Sequence, residues 1–181
     1  MPHPAGRVMP TTPAAARQLR DVLAKFPTGV AVVTTVHRGH PVGLTVNSFT
    51  SVSLAPPLVL WCLGRGSRCR PAFRAAPHFA VNILAAAQHR LAVRFAGPGN
   101  RFAGTATHPG PGGVPLIEGA AACLVCRTRR LVTAGDHMIV IGEVIDHGMR
   151  ADPPLMFTAG DYGPPRNGTG HLSDGACPQH Y

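Results

Sequence analysis

Acidic side chains are scarce in this chain, and lysine is almost absent. Only 8 of the 181 residues are Asp or Glu against 17 Lys or Arg, which gives a formal net charge of +9, and Lys25 is the single lysine. A basic balance is typical of proteins that bind nucleic acid or another anion. The arginines are scattered, however, with RTRR at 127–130 as the one cluster. We attribute part of the charge to compositional bias and part to attraction for small phosphate-bearing molecules.

Long hydrophobic runs are also missing from the sequence. No apolar run approaches the length of a membrane span. The stretch MPHPAGRVMPTTP is polar and proline-rich, unlike a signal peptide. The 5 cysteines are odd in number, which does not indicate a disulfide framework. We therefore expect free thiols in a reducing cytoplasm, and no membrane association.

Several short motifs predict little once their context is considered. Cys123 and Cys126 form a CxxC inside the apolar segment AAACLVC, and no second CxxC completes a zinc site. We interpret them as buried structural thiols and expect no metal. The stretch GPGNRFAG at 97–104 follows a predicted helix and precedes a loop, whereas a dinucleotide fingerprint needs a strand before it and a helix after it. The P-loop, the GxSxG motif and HExxH do not occur.

The order of predicted elements favours a mainly β fold. Thr12-Pro13 begins a helix of about fourteen residues, because a hydroxyl cap precedes proline at the first helical position. Apolar, β-branched runs predict six strands, with two more helices near 72–76 and 85–96. The predicted strands lie at 30–36, 42–50, 58–63, 78–84, 120–132 and 138–145. Since strands and helices do not alternate strictly, we expect an antiparallel barrel with peripheral helices. We assign residues 12–163 to one domain, between tails at 1–11 and 164–181 that we predict to be disordered.

One predicted strand region is more polar than its surroundings. The stretch TVNSFTSVSL at 45–54 carries five hydroxyl side chains and the amide of Asn47, without a charge. It is either an edge strand with one wet face or a cradle for a polar ligand. GSR at 66–68 adds a glycine, a hydroxyl and a guanidinium, which suit a phosphate. GDH at 135–137 places a histidine at the end of a hairpin, either as a turn residue or as a donor or acid aimed at a ligand.

Taken together, these pieces resemble the short-chain flavin reductase family, the FMN-binding split-barrel proteins that serve as reductase components of two-component monooxygenases. The resemblance runs from about residue 19 to residue 162. It is carried by FPTGVAVVTT at 26–35, PVGLTVNSFTSVSLAPPLVLWCL at 41–63, GSR at 66–68, FAVNIL at 79–84, RFAG at 101–104, GVPLIEGAAACLVCR at 113–127 and AGDHMIVIGEV at 134–144.

The resemblance implies a homodimer of six-stranded antiparallel split barrels of Greek-key type, with flavin near the subunit interface. The implied activity is hydride transfer from NADH or NADPH to FMN or FAD, after which reduced flavin leaves for a partner flavin-dependent monooxygenase. His137 is the implied catalytic residue, acting in orientation or proton supply. The implied flavin-binding residues are Thr45, Val46, Asn47, Ser48, Ser51, Val52, Ser53, Ser67, Arg68 and Phe102.

The chain departs from the family pattern at two places. Ala55 stands where an acidic residue often precedes the Pro-Pro pair. Thr158 and Ala159 replace a His-Arg pair near the C-terminus, while Gly160 and Tyr162 remain. Because of the second departure, a flavin carrier without efficient turnover is an alternative function. A further alternative is a flavin-dependent oxygenase or oxidase on the same barrel. A nucleic-acid-binding protein would instead show salt-dependent DNA affinity and no flavin.

Overall fold

A computed structural model of the chain describes residues 12–163, so the predictions for 1–11 and 164–181 lie outside the described residues. The helices are α1 Pro13–Leu23, α2 Arg70–Ala75 and α3 His89–Ala96, with single 3-10 turns at Ala86–Gln88 and Pro111–Gly113. The strands are β1 Thr28–Gly29, β2 Ala31–His37, β3 His40–Val46, β4 Thr50–Leu54, β5 Pro57–Gly64, β6 His78–Ile83, β7 Thr107–Pro109, β8 Pro115–Ile117, β9 Ala122–Ala134, β10 His137–Met149, β11 Met156–Thr158 and β12 Asp161–Gly163.

The main sheet has seven antiparallel strands in the order β3-β2-β6-β9-β10-β5-β4. Two small sheets, β1-β11-β12 and β7-β8, lie beside it. The predicted mainly β, antiparallel class is confirmed, but the count of six strands is wrong by one. The predicted strand 42–50 ends at Val46, and Thr50 begins a separate strand. The difference arises because β3 and β4 pair with different partners, β2 and β5, on opposite sides of the sheet.

The short connection between β3 and β4 forces the sheet to curl. These two strands are its edges, so a flat sheet would separate them by six strand spacings, roughly 29 Å. Only four Cα steps lead from Val46 to Thr50, which span at most about 15 Å. The sheet must therefore roll up and bring its edges near each other. It forms a barrel that is split between β3 and β4.

The interior of the barrel is built by alternate residues of the strands. Trp61 of β5 is fully buried and packs edge-on against Phe73 and Phe79, at ring-centroid distances of 4.9 and 5.9 Å. Phe73 comes from α2, which therefore contributes to the core. The other buried members of this core are Ala31, Val33, Val46, Val59, Leu63, Cys69, Val81, Cys126, Met138 and Val140.

The outer side of the sheet is covered in two places. α3 packs against β2, where Ala92 and Phe95 are fully buried with Val32. The β7-β8 segment covers β6 and β9 and buries Val114 against Ala80. α3 thus lies outside the barrel, as predicted for the helices, whereas α2 sends Phe73 into the core.

No described element covers a third part of the outer side. The outward residues of β5 and β10 alternate with core residues and are only half-buried. We call this set the open face, and it consists of Leu58, Leu60, Cys62, Ile139 and Ile141. It is a continuous apolar surface on two paired strands.

Helix α1 begins as predicted but is shorter than predicted. Thr12 caps it, with its hydroxyl oxygen accepting from the Ala15 N–H at 3.2 Å, and Pro13 is its first residue. It has 11 residues, and none is buried. The apolar stripe expected along it is exposed, and the side chain of Phe26 just beyond it is 76% exposed.

The two cysteines of the CxxC lie on opposite sides of β9, because an odd offset of three positions along a strand places side chains on opposite faces. Cys126 is in the barrel core, and burial raises the pKa of its thiol to about 12. Cys123 is half-buried on the outer side. Within residues 12–163, no group of three or more His, Cys, Asp or Glu is placed to hold a metal. None of the helices in that range has the length and hydrophobicity needed to span a bilayer.

We expect Gly142→Ala to destabilise the barrel. A Cβ at Gly142 would overlap the Phe79 ring and come within 2.9 Å of Cys126 Cβ. Overpacking of this kind costs about 1–3 kcal/mol. Urea unfolding measures the loss, with Gly148→Ala on the same strand as the control, since its Cβ meets only Cys123 Sγ at 3.6 Å. Equal stability of both variants would contradict this account of the core.

Candidate functional site

The C-terminal end of β5 brings two predicted site residues together. Ser48 lies on one side of it, where its hydroxyl accepts from the Cys62 N–H at 2.9 Å and donates to the Cys62 carbonyl at 3.3 Å. His137 lies on the other side, paired with Gly64 of β5. Two residues along a strand span about 7 Å, so Ser48 and His137 flank the same strand end.

The loop after β5 is joined to the turn that carries His137. The N–H of Arg65 donates to the Asp136 carbonyl at 2.8 Å, and the Arg65 guanidinium donates to the Gly135 carbonyl at 3.4 Å. In the same loop the Ser67 hydroxyl oxygen accepts from the Cys69 N–H at 3.2 Å. Arg68 is exposed and forms no salt bridge within residues 12–163. The predicted GSR and GDH motifs are therefore neighbours in the fold.

Asp136 orients the imidazole of His137. Its carboxylate lies 2.7 Å from Nδ1 of His137, and both side chains are exposed. The hydrogen bond with His137, and then its charge, lower the pKa of the Asp136 carboxyl. Nε2 lies above Gly64, 3.8 Å from where a Cβ would stand. Because Nδ1 is engaged, Nε2 is the nitrogen that can contact a ligand.

The hydroxyl groups of residues 45–54 do not form one continuous ladder. Thr45 donates to the Ala92 carbonyl of α3 at 2.7 Å, and Ser48 is engaged by β5. These two side chains fasten the backbone. By contrast, the side chains of Asn47, Ser51 and Ser53 make no hydrogen bond to any other described residue. They are the polar groups of this stretch that remain free to bind a ligand.

Strand β4 is an open edge. Among the strands of residues 12–163 it pairs only with β5, and a bulge at Val52 separates the pairs Ser51–Val59 and Ser53–Leu58. An edge strand presents unpaired N–H and C=O groups on its free side. The interpretation of TVNSFTSVSL as an edge strand is therefore confirmed. A cradle for a polar ligand would also need an open edge with free hydroxyl groups.

Three separate cavities are lined by predicted flavin-binding residues. A cavity of about 460 Å³ is lined by Ser51, Val52 and Ser53 with the two residues that follow. A second, of about 320 Å³, contains Thr45, Val46 and Asn47, together with Phe157 and Tyr162. A third, of about 250 Å³, contains Arg68 and Phe102. Ser48, Ser67 and His137 line none of the three. The single site expected from the sequence is thus distributed around the split in the barrel.

Two residues of the third cavity were missed in the sequence. Gly43 lies in the interior of β3, where an added Cβ would come within 2.9 Å of Phe95 and 3.2 Å of Phe102. Phe95 and Phe102 pack edge-to-face at 5.0 Å. Arg101, adjacent to Phe102, binds the Gly43 carbonyl at 2.7 Å. A glycine inside a strand often marks such a close approach, and this signal was available in PVGLTV.

The departure at Thr158 and Ala159 lies in the turn between β11 and β12. Ala159 has a positive φ of 53°, and its N–H donates to the Ala24 carbonyl at 3.0 Å. The turn therefore anchors the end of α1. Phe157 and Tyr162, which flank this turn, line the second cavity, and their ring centroids lie 5.0 Å apart.

Comparison with known proteins places these features in context. The family model described as a flavin reductase like domain matches residues 23–166. The chain is 44% identical over 147 residues to the FMN reductase (NADH) SmoA of Agrobacterium fabrum, covering 81% of this chain and 84% of that protein. It is 38% identical over 169 residues to the reductase subunit HsaB of a flavin-dependent monooxygenase of Mycobacterium tuberculosis, covering 91% of this chain and 87% of that protein.

Solved structures show the same likeness. The Streptomyces globisporus NADH:FAD oxidoreductase SgcE6, in complex with NAD and FAD fragments, matches with a TM-score of 0.79 and 41% identity. The match covers 87% of this chain and 95% of that one. A putative oxidoreductase of Sinorhizobium meliloti matches with a TM-score of 0.81 and 41% identity over 83% of this chain, which spans only 53% of the longer protein.

We expect His137→Ala to raise the pKa of the Asp136 carboxyl toward its ordinary range, because the variant removes the two largest causes of the shift, the hydrogen bond with His137 and the charge of His137. A lowered pKa means that the pair stabilises the turn at neutral pH, and that this is lost as pH falls through the lowered value. An NMR titration of the Asp136 carboxyl measures the change. His147→Ala, after Asp146, is the control. An unchanged Asp136 titration in His137→Ala would show that the histidine is not held as described.

Proposed function

This chain belongs to the flavin reductase like domain family, and from that premise we propose that it is an NADH:flavin oxidoreductase. It transfers a hydride from NADH to FMN or FAD and supplies reduced flavin to a partner monooxygenase. The observation that carries the proposal is the match over residues 23–166, which includes the open edge β4, the GSR loop and the GDH turn. The names of the relatives, an NADH-dependent FMN reductase and a monooxygenase reductase subunit, support it.

The residues around the split fit a flavin. A flavin mononucleotide carries a neutral polyol chain and a doubly ionised phosphate, which need uncharged hydrogen-bonding groups and a cation respectively. Asn47, Ser51 and Ser53 offer the first, and Arg68, without a carboxylate partner in the described part of the chain, offers the second. Bound flavin supplies the acceptor for the hydride of the nicotinamide. The protein's own task is to orient both rings and exclude water.

His137 acts in this scheme as an orienting or proton-supplying group. Asp136 fixes its Nδ1, which leaves Nε2 to donate or accept a hydrogen bond at the end of β5. Ser67, beside Arg68, adds a hydroxyl that can still donate a hydrogen bond, because its oxygen only accepts from the Cys69 N–H. Phe102 presents an aromatic ring whose position is fixed by Phe95.

Proposed partners are a second copy of the chain and a monooxygenase component. The open face is a half-buried apolar surface on β5 and β10, which a second copy would cover as an isologous interface. It adjoins the split, because β5 pairs with β4 on its other side. Reduced flavin must leave the site to reach the monooxygenase, which the openness of the edge allows. We place the activity in the cytoplasm, as one domain over residues 12–163.

A flavin carrier without efficient turnover is the second candidate. The observation that favours it is the departure at Thr158 and Ala159, since neither side chain carries a charge for a dinucleotide. Tyr162, which remains, lines the second cavity with Thr45 and Asn47.

We expect NADH oxidation by the purified protein to depend on added FMN or FAD. Absorbance of the nicotinamide follows the reaction, with FMN, FAD and riboflavin added separately and NADPH as the alternative donor. The control omits flavin. Rapid turnover with NADH and one flavin supports the reductase. Tight flavin binding without turnover from either donor would replace it with the carrier.

We also expect Leu60→Arg to convert a dimer into a monomer. Leu60 is central to the open face, and a guanidinium placed there would be desolvated without a partner in the interface. Sedimentation equilibrium measures the mass. Val93→Arg is the matched control, because Val93 is an apolar side chain of α3 that is 50% exposed and lies away from the open face. A dimer that survives Leu60→Arg with its fold intact excludes this surface as the interface.

A further inference from the structure

Arg101 binds three separate elements of the fold with one guanidinium. Its Nε donates to the Gly97 carbonyl at the end of α3, at 2.8 Å. Its Nη1 donates to the Gly43 carbonyl of β3 at 2.7 Å and to Cys69 Sγ, just before α2, at 3.1 Å. The Cys69 thiol in turn approaches the Gly43 carbonyl at 3.7 Å. These contacts form a closed network, which we call the Arg101 clamp.

The clamp ties together the three segments that line the cavity of about 250 Å³, at 41–43, 68–69 and 98–102. Phe102 follows Arg101 directly in sequence and lies in one of these segments. Arg68 precedes Cys69 directly and lies in another. Arg68 and Phe102 are each adjacent in sequence to a member of the clamp, Cys69 and Arg101. The geometry of the clamp therefore sets the distance between Arg68 and Phe102.

The surroundings of Arg101 are those of a guanidinium that stabilises the fold. No Asp or Glu in the described residues pairs with it. The acceptors of its Nε and Nη1 are neutral. It is half-buried, which strengthens such charge-assisted bonds. A lysine could not replace it, because an ammonium lacks the planar fork that reaches several acceptors at fixed angles.

We propose that Arg101 is a positioning residue for flavin phosphate recognition. It does not bind the flavin itself; it holds Arg68 at the distance from Phe102 at which a phosphorylated flavin meets both. The inference rests on the proposed function for the identity of the ligand. It assigns to Arg101 a selective effect: loss of the clamp should weaken phosphorylated flavin far more than riboflavin, which has no phosphate for Arg68.

The test measures dissociation constants of FMN and riboflavin by flavin fluorescence for the wild-type protein, Arg101→Met, Arg68→Ala and the double variant. Arg68→Ala should weaken FMN by about ten- to a hundredfold, the scale of a lost charge-assisted contact. Arg101→Met should weaken FMN by about tenfold, the scale of a small misplacement, and riboflavin by much less. In the double variant the FMN-to-riboflavin preference should equal that of Arg68→Ala alone, since Arg101 acts through Arg68.

Arg90→Met is the matched control, because Arg90 is an exposed arginine of α3 that makes no hydrogen bond to another described residue. It should change neither constant. If Arg101→Met does not fold, Cys69→Ala removes a single acceptor of the clamp and should shift the preference in the same direction by a few-fold.

Equal weakening of FMN and riboflavin would overturn the inference, because it would mean a general structural role. Additive losses of preference in the double variant would overturn it as well. NADH turnover of the wild-type protein decides the proposed function separately. Flavin binding without turnover would contradict the proposed reductase function. The role of Arg101 would then still be tested by the dissociation constants. A protein that binds no FMN would overturn both.

Discussion

The structure depends on the short connection between the two edge strands of its main sheet. β3 and β4 pair with different neighbours at opposite ends of the strand order, yet only Asn47, Ser48 and Phe49 separate them. The chain can satisfy both pairings only by rolling the sheet into a barrel with a split. Ser48 then fastens the connection to β5 through both polar groups of Cys62. Closure and the location of the site follow from the same three residues.

The split accounts for the polarity of TVNSFTSVSL. A closed barrel pairs every backbone group with a neighbouring strand, whereas a split one leaves two edges that water or a ligand must satisfy. Unpaired apolar edges would favour aggregation, and acidic side chains there would repel an anionic ligand. Small uncharged hydroxyl groups avoid both consequences. In the proposed site Arg68 supplies the positive charge from the adjoining loop, where its exposed guanidinium stays hydrated.

Support for the site comes from elements that do not form it. α3 buries Phe95 against β2, and Phe95 in turn fixes the ring of Phe102. α2 contributes Phe73 to the barrel core and begins beside Cys69, so the loop that carries Arg68 is anchored at its far end. Gly43 permits the close approach of both phenylalanine rings to β3. The proposed ligand-binding residues are therefore held by packing that continues into the core.

Local patterns in the sequence were enough to predict several features. Apolar, β-branched runs predicted the strands, Thr12-Pro13 predicted the start of α1, the order of the elements predicted the mainly β class, and the linear motifs indicated the family. The tertiary structure decided which hydroxyl groups are engaged, because their partners are distant in sequence: Thr45 binds Ala92 and Ser48 binds Cys62, while no described residue binds the side chains of Ser51 and Ser53. It also decided that β3 and β4 are separate edges and that Arg101 reaches Gly43, 58 residues away. Periodicity reports how a residue faces its neighbours in the chain, but not which remote backbone group the folded chain brings to it.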